Sequence, residues 1–470
     1  MKSLGRLYNQ ARLTQIYSIP KVGKIRVSLQ SDATLGIAQS RGERSYQEDS
    51  VCVGSLNLSH AELAKTVRKG EHYQKLIANN QAKYRKRTPR NNSSSSSLSA
   101  GKGSNFFHQS LFVALFDGHG GADSAQYLAK NLPRILEESH SSDIPKVIRN
   151  YRSIGGYFRR FRGGFLEHIA QQVYPPTHPD QPHHHHQTQN QQDNPEPDEK
   201  KPEVVMGVDE RLSLSFLLAD QELMKRFPKS GAVATAVMLT PLGMESEEDG
   251  SSMTYPYFSS PLLSLVVAHV GDTSGLLCSA IDGKVVALTE DHHPDSRVEA
   301  ERLRRIGTGL ITDSFGESRW GGSLANSRGL GDAAFKSLGV TGEPDIINKI
   351  INGVFFLPPL VFLPSPALNF VLICTGEHWE FLILVSDGIS NVITNQEIID
   401  LCKGAKTPKE AANRVVDFAE TLGGRDNMTA IVVPLLRWGN GAGQDLTVER
   451  REYRMKQLTT SGGSGRQKRM

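Results

Sequence analysis

The sequence predicts an α+β fold, on two observations. Short apolar runs that close on turn signals read as hairpin-linked strands. Between them lie apolar positions at helical spacing, without the regular strand–helix alternation of a parallel sheet. In chain order, Leu111–Phe116 is a continuous apolar run ending at Asp117-Gly118, and Ala122–Leu136 and Leu212–Arg226 carry helical patterns. Leu262–Thr289 reads as strands joined by turns, with Asp282-Gly283 a hairpin signal. Ser296–Arg305 is helical, and Phe381–Val385 is a second apolar run, ending at Ser386-Asp387-Gly388. Asn395–Leu401 and Lys409–Thr421 are helical, and Met428–Leu436 is the last β-type run.

Composition bounds the function. The chain has 470 residues, room for one large domain or several ordinary ones. An apolar content of 38% with 7% aromatics supports a sizeable core, and excludes a wholly disordered chain and a polytopic membrane protein. Lys and Arg number 54 against 50 Asp and Glu, a formal charge of +4, which makes no overall case for nucleic-acid binding. Cys52, Cys278, Cys374 and Cys402 are far apart with no CxxC pair, which argues against a disulfide framework or thiolate zinc site and fits a reducing compartment.

Residues 1–31 hold Lys2, Arg6, Arg12, Lys21, Lys24 and Arg26 but no acidic residue, and lack the apolar stretch of a secretory signal. That is the composition of a mitochondrial transit peptide, with an ordinary basic tail the alternative. Three stretches break the globular pattern: a basic, Ser-rich one near 79–105, a Pro/His/Gln/acid-rich one near 174–202 that includes His183–His186, and an acidic Gly/Ser-rich one near 242–256. All three read as surface insertions, since such compositions bury too little apolar area to offset chain entropy. The globular domain then spans 32–437, and 438–470 is a polar tail with a short exposed helix over Glu449–Lys456.

Carboxylates stand where apolar strands end. Asp117 and Asp387 each follow such a run and precede a glycine, and Asp272 follows Val266–Val270. Asp332 lies in Gly331-Asp332, Asp426 precedes the last strand, and Glu48-Asp49 form an acidic pair. One Asp-Gly alone is most simply a turn. Several on one sheet system converge, and their repulsion calls for a compensating cation. Oxygen donors without a Cys or His cluster suit Mg²⁺ or Mn²⁺, and there are enough for two ions clamping a phosphoryl group.

The ordered blocks Arg44–Asp49, Phe116-Asp117-Gly118-His119-Gly120-Gly121, Ser230-Gly231 with Thr235-Ala236, Val270-Gly271-Asp272 and Leu288–His292 carry a resemblance. So do Ser327–Asp332, Glu343-Pro344-Asp345, Ser386-Asp387-Gly388 and Arg425-Asp426-Asn427. The chain resembles the metal-dependent Ser/Thr protein phosphatases of the PP2C (PPM) family, and fungal mitochondrial members in particular. The resemblance implies an α-β-β-α sandwich of two antiparallel sheets with a two-metal site at one edge. It implies that Asp117 bridges the ions, that Glu48 and the Gly118 carbonyl hold one, and that Asp332 and Asp387 hold the other with Asp426 beside it. Asp272 would help Asp332 hold a weaker third ion, Asp49 would bond a metal-held water, Arg44 would grip the substrate phosphate, and His119 would be the general acid. The substrates implied are phosphorylated proteins, among them mitochondrial matrix dehydrogenase subunits.

The sequence departs from the family pattern at Thr273-Ser274, where an arginine is usual, and at Ser390-Asn391, where Trp-Asp is usual. These put the third ion site and local packing in doubt. The Ser230–Thr235 block is stretched, without an evident reason.

The segment near 351–376 is a further departure. Val354–Cys374 carries no charge, yet Pro358, Pro359, Pro364 and Pro366 interrupt it. A membrane crossing there would separate Asp332 from Asp387, so a span is disfavoured. A lineage-specific apolar loop and translated non-coding sequence are the two open readings. For function, phosphoSer/phosphoThr hydrolysis leads, and a catalytically inactive PP2C-like binding module is the alternative. Location is mitochondrial (matrix or intermembrane space), with cytoplasmic the alternative.

Overall fold

Phe112, Ala114 and Phe116 face one side of their strand and Leu111, Val113 and Leu115 the other, and all six are buried. A strand covered on both faces reads as a continuous apolar run, and the architecture follows from that. The computed structural model describes residues 13–19, 23–70, 107–155, 166, 167, 170, 204–242, 244, 245, 252, 253, 255–304, 310–312, 318–322, 324–352, 378–444 and 446–460. The Ser-rich stretch near 79–105, the His/Gln-rich stretch near 174–202 and nearly all of 351–376 lie outside the described residues.

The described residues open on a hairpin, β1 (Thr14–Ile19) and β2 (Gly23–Ser28), followed by β3 (Gly36–Ser40), β4 (Ser50–Ser59) and β5 (Phe107–His119). Three helices come next: α1 (Asp123–Glu138), α2 (Ile144–Ile154) and α3 (Val208–Arg226). Strand β6 (Gly231–Pro241), the two-residue strands β7 (Met244–Glu245) and β8 (Ser252–Met253), β9 (Leu262–Val270), β10 (Ser274–Ser279) and β11 (Val285–Ala287) follow. Helix α4 (Arg297–Arg304) leads to the small hairpin β12 (Leu310–Thr312)–β13 (Ser318–Trp320). Then come β14 (Leu330–Gly331), α5 (Ala333–Lys336), β15 (Asp345–Asn352) and β16 (Trp379–Val385). The described residues end with α6 (Asp387–Ser390), α7 (Asn395–Cys402), α8 (Pro408–Thr421), β17 (Met428–Pro434) and α9 (Thr447–Thr460).

One sheet runs β15-β9-β6-β5-β4 with β14 paired to β6, and the other runs β11-β10-β16-β17-β3. Every pairing within them is antiparallel. Their inner faces meet in one core, where Leu111, Val113 and Leu115 of β5 join Val237, Leu265, Val267, Leu277, Leu382 and Ile431. Outside the first sheet, Leu128, Leu132 and Leu136 of α1 and Leu212, Phe216 and Leu223 of α3 cover Phe112 and Phe116. Outside the second, α7 and α8 bury Ile398, Val415 and Phe418 against Ile383 and Val432. This is the helix–sheet–sheet–helix sandwich that the resemblance implies.

Local chemistry starts the outer helices. Thr394 accepts from the Glu397 amide while Glu397 reaches back to the Thr394 amide, and Thr407 caps α8 with Pro408 at its first position. The strands and helices expected from the sequence are present, with β5 longer than its apolar run. The ladder with β6 continues through Asp117↔Val233 to His119↔Gly231, so Asp117 and His119 are strand residues and not turn residues. Within the basic N-terminal stretch, β1 and β2 form a hairpin in which Tyr17, Val27 and the following Leu29 are buried.

Candidate active site

Antiparallel order brings one end of each sheet to a common edge. Glu48 precedes β4, Asp117, Gly118 and His119 close β5, and Asp272 follows β9. Asp332 follows β14, Asp387 follows β16, and Asp426 precedes β17. With Arg44 these residues line one cleft of about 720 Å³. Asp49 lies buried at 4% exposure, its Oδ2 bonded by Thr429 at 2.6 Å and its Oδ1 buried without a hydrogen-bond partner.

The side chains are held from several elements. Glu48 Oε1 accepts from the Gly121 amide at 2.7 Å, and the Glu48 amide donates to Asn427 at 2.7 Å. A Cβ on Gly118 would come within 2.7 Å of the Glu48 carbonyl, so the two backbones approach as only glycine allows. Arg44 pairs with Asp426 at 2.7 Å, both partly exposed. Asn391 donates to Asp387 Oδ2 at 3.0 Å, four residues away. His119 Nε2 and Asp332 Oδ1 are 2.7 Å apart. Asp332 has φ 50°, and it is the non-glycine residue with positive φ among the described residues. A left-handed aspartate is held there by its surroundings.

Burial first, and then the charges of Asp387, Asp49, Asp272 and Asp426, hold the Asp117 carboxyl well above the usual carboxylate range. Asp387 is raised in the same way, by burial and then by Asp272 and Asp426. Burial also raises Asp49 and Asp272. For His119, burial disfavours the charged ring, but the bond to Asp332 and the acidic field outweigh it and raise the pKa. Carboxylates crowded together in this way raise one another's pKa. Among the described residues, no group of three or more His, Cys, Asp or Glu is gathered as a ready-made metal-ligand set.

Arg44, Glu48, Asp117, Gly118, His119, Asp272, Asp332, Asp387 and Asp426 line this cleft, and Asp49 lies buried beside Asp117. The cleft wall also holds Arg328, inside the Ser327–Asp332 block but given no role, and three residues that sequence reasoning missed: His293, Arg319 from β13 and Asn326. Arg328 is bound by Glu299 at 2.7 Å and by Asp345 at 2.5 Å, which only the folded chain reveals. Asn391, read as a departure, carried a usable signal, because it lies one helical turn after Asp387. At the other departure, Thr273 is fully buried and bonded to Thr235 at 2.7 Å, and Ser274 opens β10.

The profile of the family described as Protein phosphatase 2C matches residues 159–428, and the chain belongs to that family. Protein phosphatase 2C homolog 4 of Schizosaccharomyces pombe is 29% identical over 345 residues, covering 72% of this chain and 74% of that protein. A Xenopus laevis protein, "Protein phosphatase 1K, mitochondrial", is 35% identical over 179 residues, 38% of this chain and 41% of its own length. Among solved structures, serine-threonine phosphatase 2C from Toxoplasma gondii is 15% identical, with 90% of this chain and 98% of that one covered at a TM-score of 0.46.

Proposed function

We propose that the chain hydrolyses phosphoserine and phosphothreonine esters on proteins, with Mg²⁺ or Mn²⁺ as cofactor. The observation that carries this reading is the meeting of Arg44, Glu48, Asp117, His119, Asp332 and Asp387 in one cleft. The residues fit hard divalent cations: the donors are all oxygen, the Asp117 carboxyl is pressed upward by its neighbours, and a buried Asp49 oxygen has no partner. Glu48, Asp117 and the Gly118 carbonyl would hold one ion, and Asp117, Asp332 and Asp387 the other, with Asp426 beside it and Asp272 available to a weaker third. When bound, such ions neutralise phosphoryl charge and make water more acidic.

The protein's own groups divide the remaining work. Arg44, exposed beside the acidic wall, offers a planar fork to two phosphate oxygens, exchanging Asp426 for substrate. His119 gives a proton to the departing Ser or Thr oxygen, since a bare alkoxide leaves poorly. Its Nε2 is engaged by Asp332, so the proton to be given is the one on Nδ1. Asp49 accepts a hydrogen bond from a water beside Asp117 through its unpartnered Oδ1.

The test is hydrolysis of a phosphothreonine peptide by the purified protein with Mn²⁺ or Mg²⁺, alongside Asp117→Asn and Asp387→Asn. Activity that survives a chelator, or survives both substitutions, overturns the mechanism. The alternative, an inactive phosphoprotein-binding module, is decided by the same experiment. That module would bind the same peptide without turnover.

For location, the basic, acid-free start supports mitochondrial import. Two relatives carry "mitochondrial" in their names, the Xenopus protein and a rice protein 33% identical over 169 residues. Removing a leader that ended at Ser31 would also remove the β1–β2 hairpin. Phosphorylated matrix dehydrogenase subunits are then the substrates to try first. No helix among the described residues is long and apolar enough to cross a membrane.

A further inference from the structure

Behind the catalytic edge lies an ion pair that no solvent reaches. Asp220 of α3 and Lys336 of α5 meet at 2.9 Å (Oδ1 to Nζ), with side-chain exposures of 0% and 1%. Desolvation offsets most of the attraction in such a pair, so it is a weak source of stability and asks for another reason to be there. Its other hydrogen bonds supply one. Asp220 Oδ1 accepts from the Gly331 amide at 2.6 Å, and Lys336 Nζ donates to the Gly329 carbonyl at 2.7 Å. The Tyr151 hydroxyl of α2 donates to Asp220 Oδ2. A Cβ at Gly342 would come within 2.7 Å of that same oxygen, so the glycine leaves the space the carboxylate occupies.

The two bonded backbone groups bracket Leu330 and lead directly into Asp332. On the opposite side the turn lies against β6, where Leu330↔Ala232 and Gly331↔Gly231 pair. Gly331 has φ 88°, and a Cβ there would stand 2.6 Å from the Ser230 carbonyl. The turn is thus clamped between a strand in front and a buried charge pair behind. Its product is the left-handed Asp332 bonded to His119.

We propose that Asp220 and Lys336 are positioning residues for Asp332, fixing the Gly329–Asp332 turn so that its carboxylate meets His119 in the cleft. The catalytic part of this inference rests on the phosphatase reading above, while the structural part does not. The test uses the full chain, comparing wild type with the charge-free pair Asp220→Leu/Lys336→Met and with Tyr151→Phe. The readouts are thermal unfolding, hydrogen exchange of the peptide covering Gly329–Lys336, and kcat and KM on a phosphothreonine peptide.

A folded charge-free variant is expected to exchange at least tenfold faster in that peptide, with α3 and β6 still protected. Its kcat should fall at least tenfold while KM stays within twofold. Unchanged exchange, or unchanged kcat in an active enzyme, overturns the proposal. If the variant does not fold, Tyr151→Phe decides. A kcat reduced about threefold at unaltered KM and melting temperature supports positioning, and wild-type kcat overturns it. If wild type hydrolyses nothing, the functional reading fails separately and the exchange result alone judges the clamp.

Discussion

His119 Nε2 and Asp332 Oδ1 meet 2.7 Å apart in space that a side chain at Gly231 would need. A Cβ on Gly231 would lie 2.5 Å from both Asp332 carboxylate oxygens and would also collide with His119 Nε2. Gly231 is not among the residues with positive φ, so its backbone accepts alanine without strain. Gly231→Ala should therefore act on the pair and not on the strand. Displacing a reacting group by about 1 Å costs on the order of 100-fold in rate. We expect kcat on a phosphothreonine peptide to drop by about that factor with the thermal midpoint nearly unchanged. A variant with native kcat would show that the pair has no part in turnover.

Acid should weaken the ion pairs around Arg328. Burial works against ionising Glu299, but Arg302 and Arg328 win and hold it at about 2, below its ordinary 4.5. Burial likewise opposes ionising Asp345, which His292 and Arg328 nonetheless pull down. A depressed carboxyl adds stability that is complete above its unfolded pKa and is lost as pH falls through the folded one. For Glu299 the loss thus runs from about pH 4.5 to about pH 2, worth roughly 3 kcal/mol at most. Glu299→Gln should be less stable than wild type at pH 7, because two arginines lose their partner, and the gap should narrow below about pH 4.5 and close by about pH 2. Urea titrations at stepped pH measure it, and a gap independent of pH would refute the assignment.

The basic N-terminal stretch divides at residue 13. Deleting 1–12 removes none of the described buried side chains, whereas deleting 1–31 removes Tyr17, Val27 and Leu29, all buried, together with the β1–β2 hairpin. Each fully buried side chain of this size contributes about 1.5–3 kcal/mol. The longer deletion should lower the urea midpoint sharply or abolish folding, and the shorter should leave it within error. Equal midpoints for the two truncations would mean the hairpin does not belong to the folded body.

Much of this was legible because of where burial falls. Strands β16 and β17 are covered on both faces, so their residues form unbroken apolar runs, and the aspartates beside them stand out. Strand β6 is equally buried, but its Gly-Ala-Val-Ala-Thr start is small-residued and polar-spotted, and gives no strong run. Those small residues let the Asp332 turn and the Asp117 end of β5 lie close, which depends on neighbours remote in sequence. In β2, Lys24 and Arg26 are exposed on alternate positions with Val27 buried, so a strand period was present beneath a leader-like composition. Asp220 and Lys336 had no local signal at all, because a mid-helix aspartate and a lysine on a four-residue helix acquire meaning only from each other.

The acidic edge should also show itself in stability. Asp117 is surrounded by Asp387, Asp49, Asp272 and Asp426, a cluster whose repulsion opposes folding when no cation balances it. In a chelator, Asp117→Asn removes one of those charges while keeping the shape, so it should melt higher than wild type. A gain of 1 kcal/mol corresponds to about 2–4 °C for a body of this size. Adding Mn²⁺ should raise the wild-type midpoint by mass action and reverse that order, since the substituted site has lost a central ligand. Residues selected for binding a cation commonly cost stability in its absence. If Asp117→Asn melts lower than wild type in chelator, or Mn²⁺ moves both midpoints equally, these carboxylates do not form a cation site and the catalytic reading falls with them.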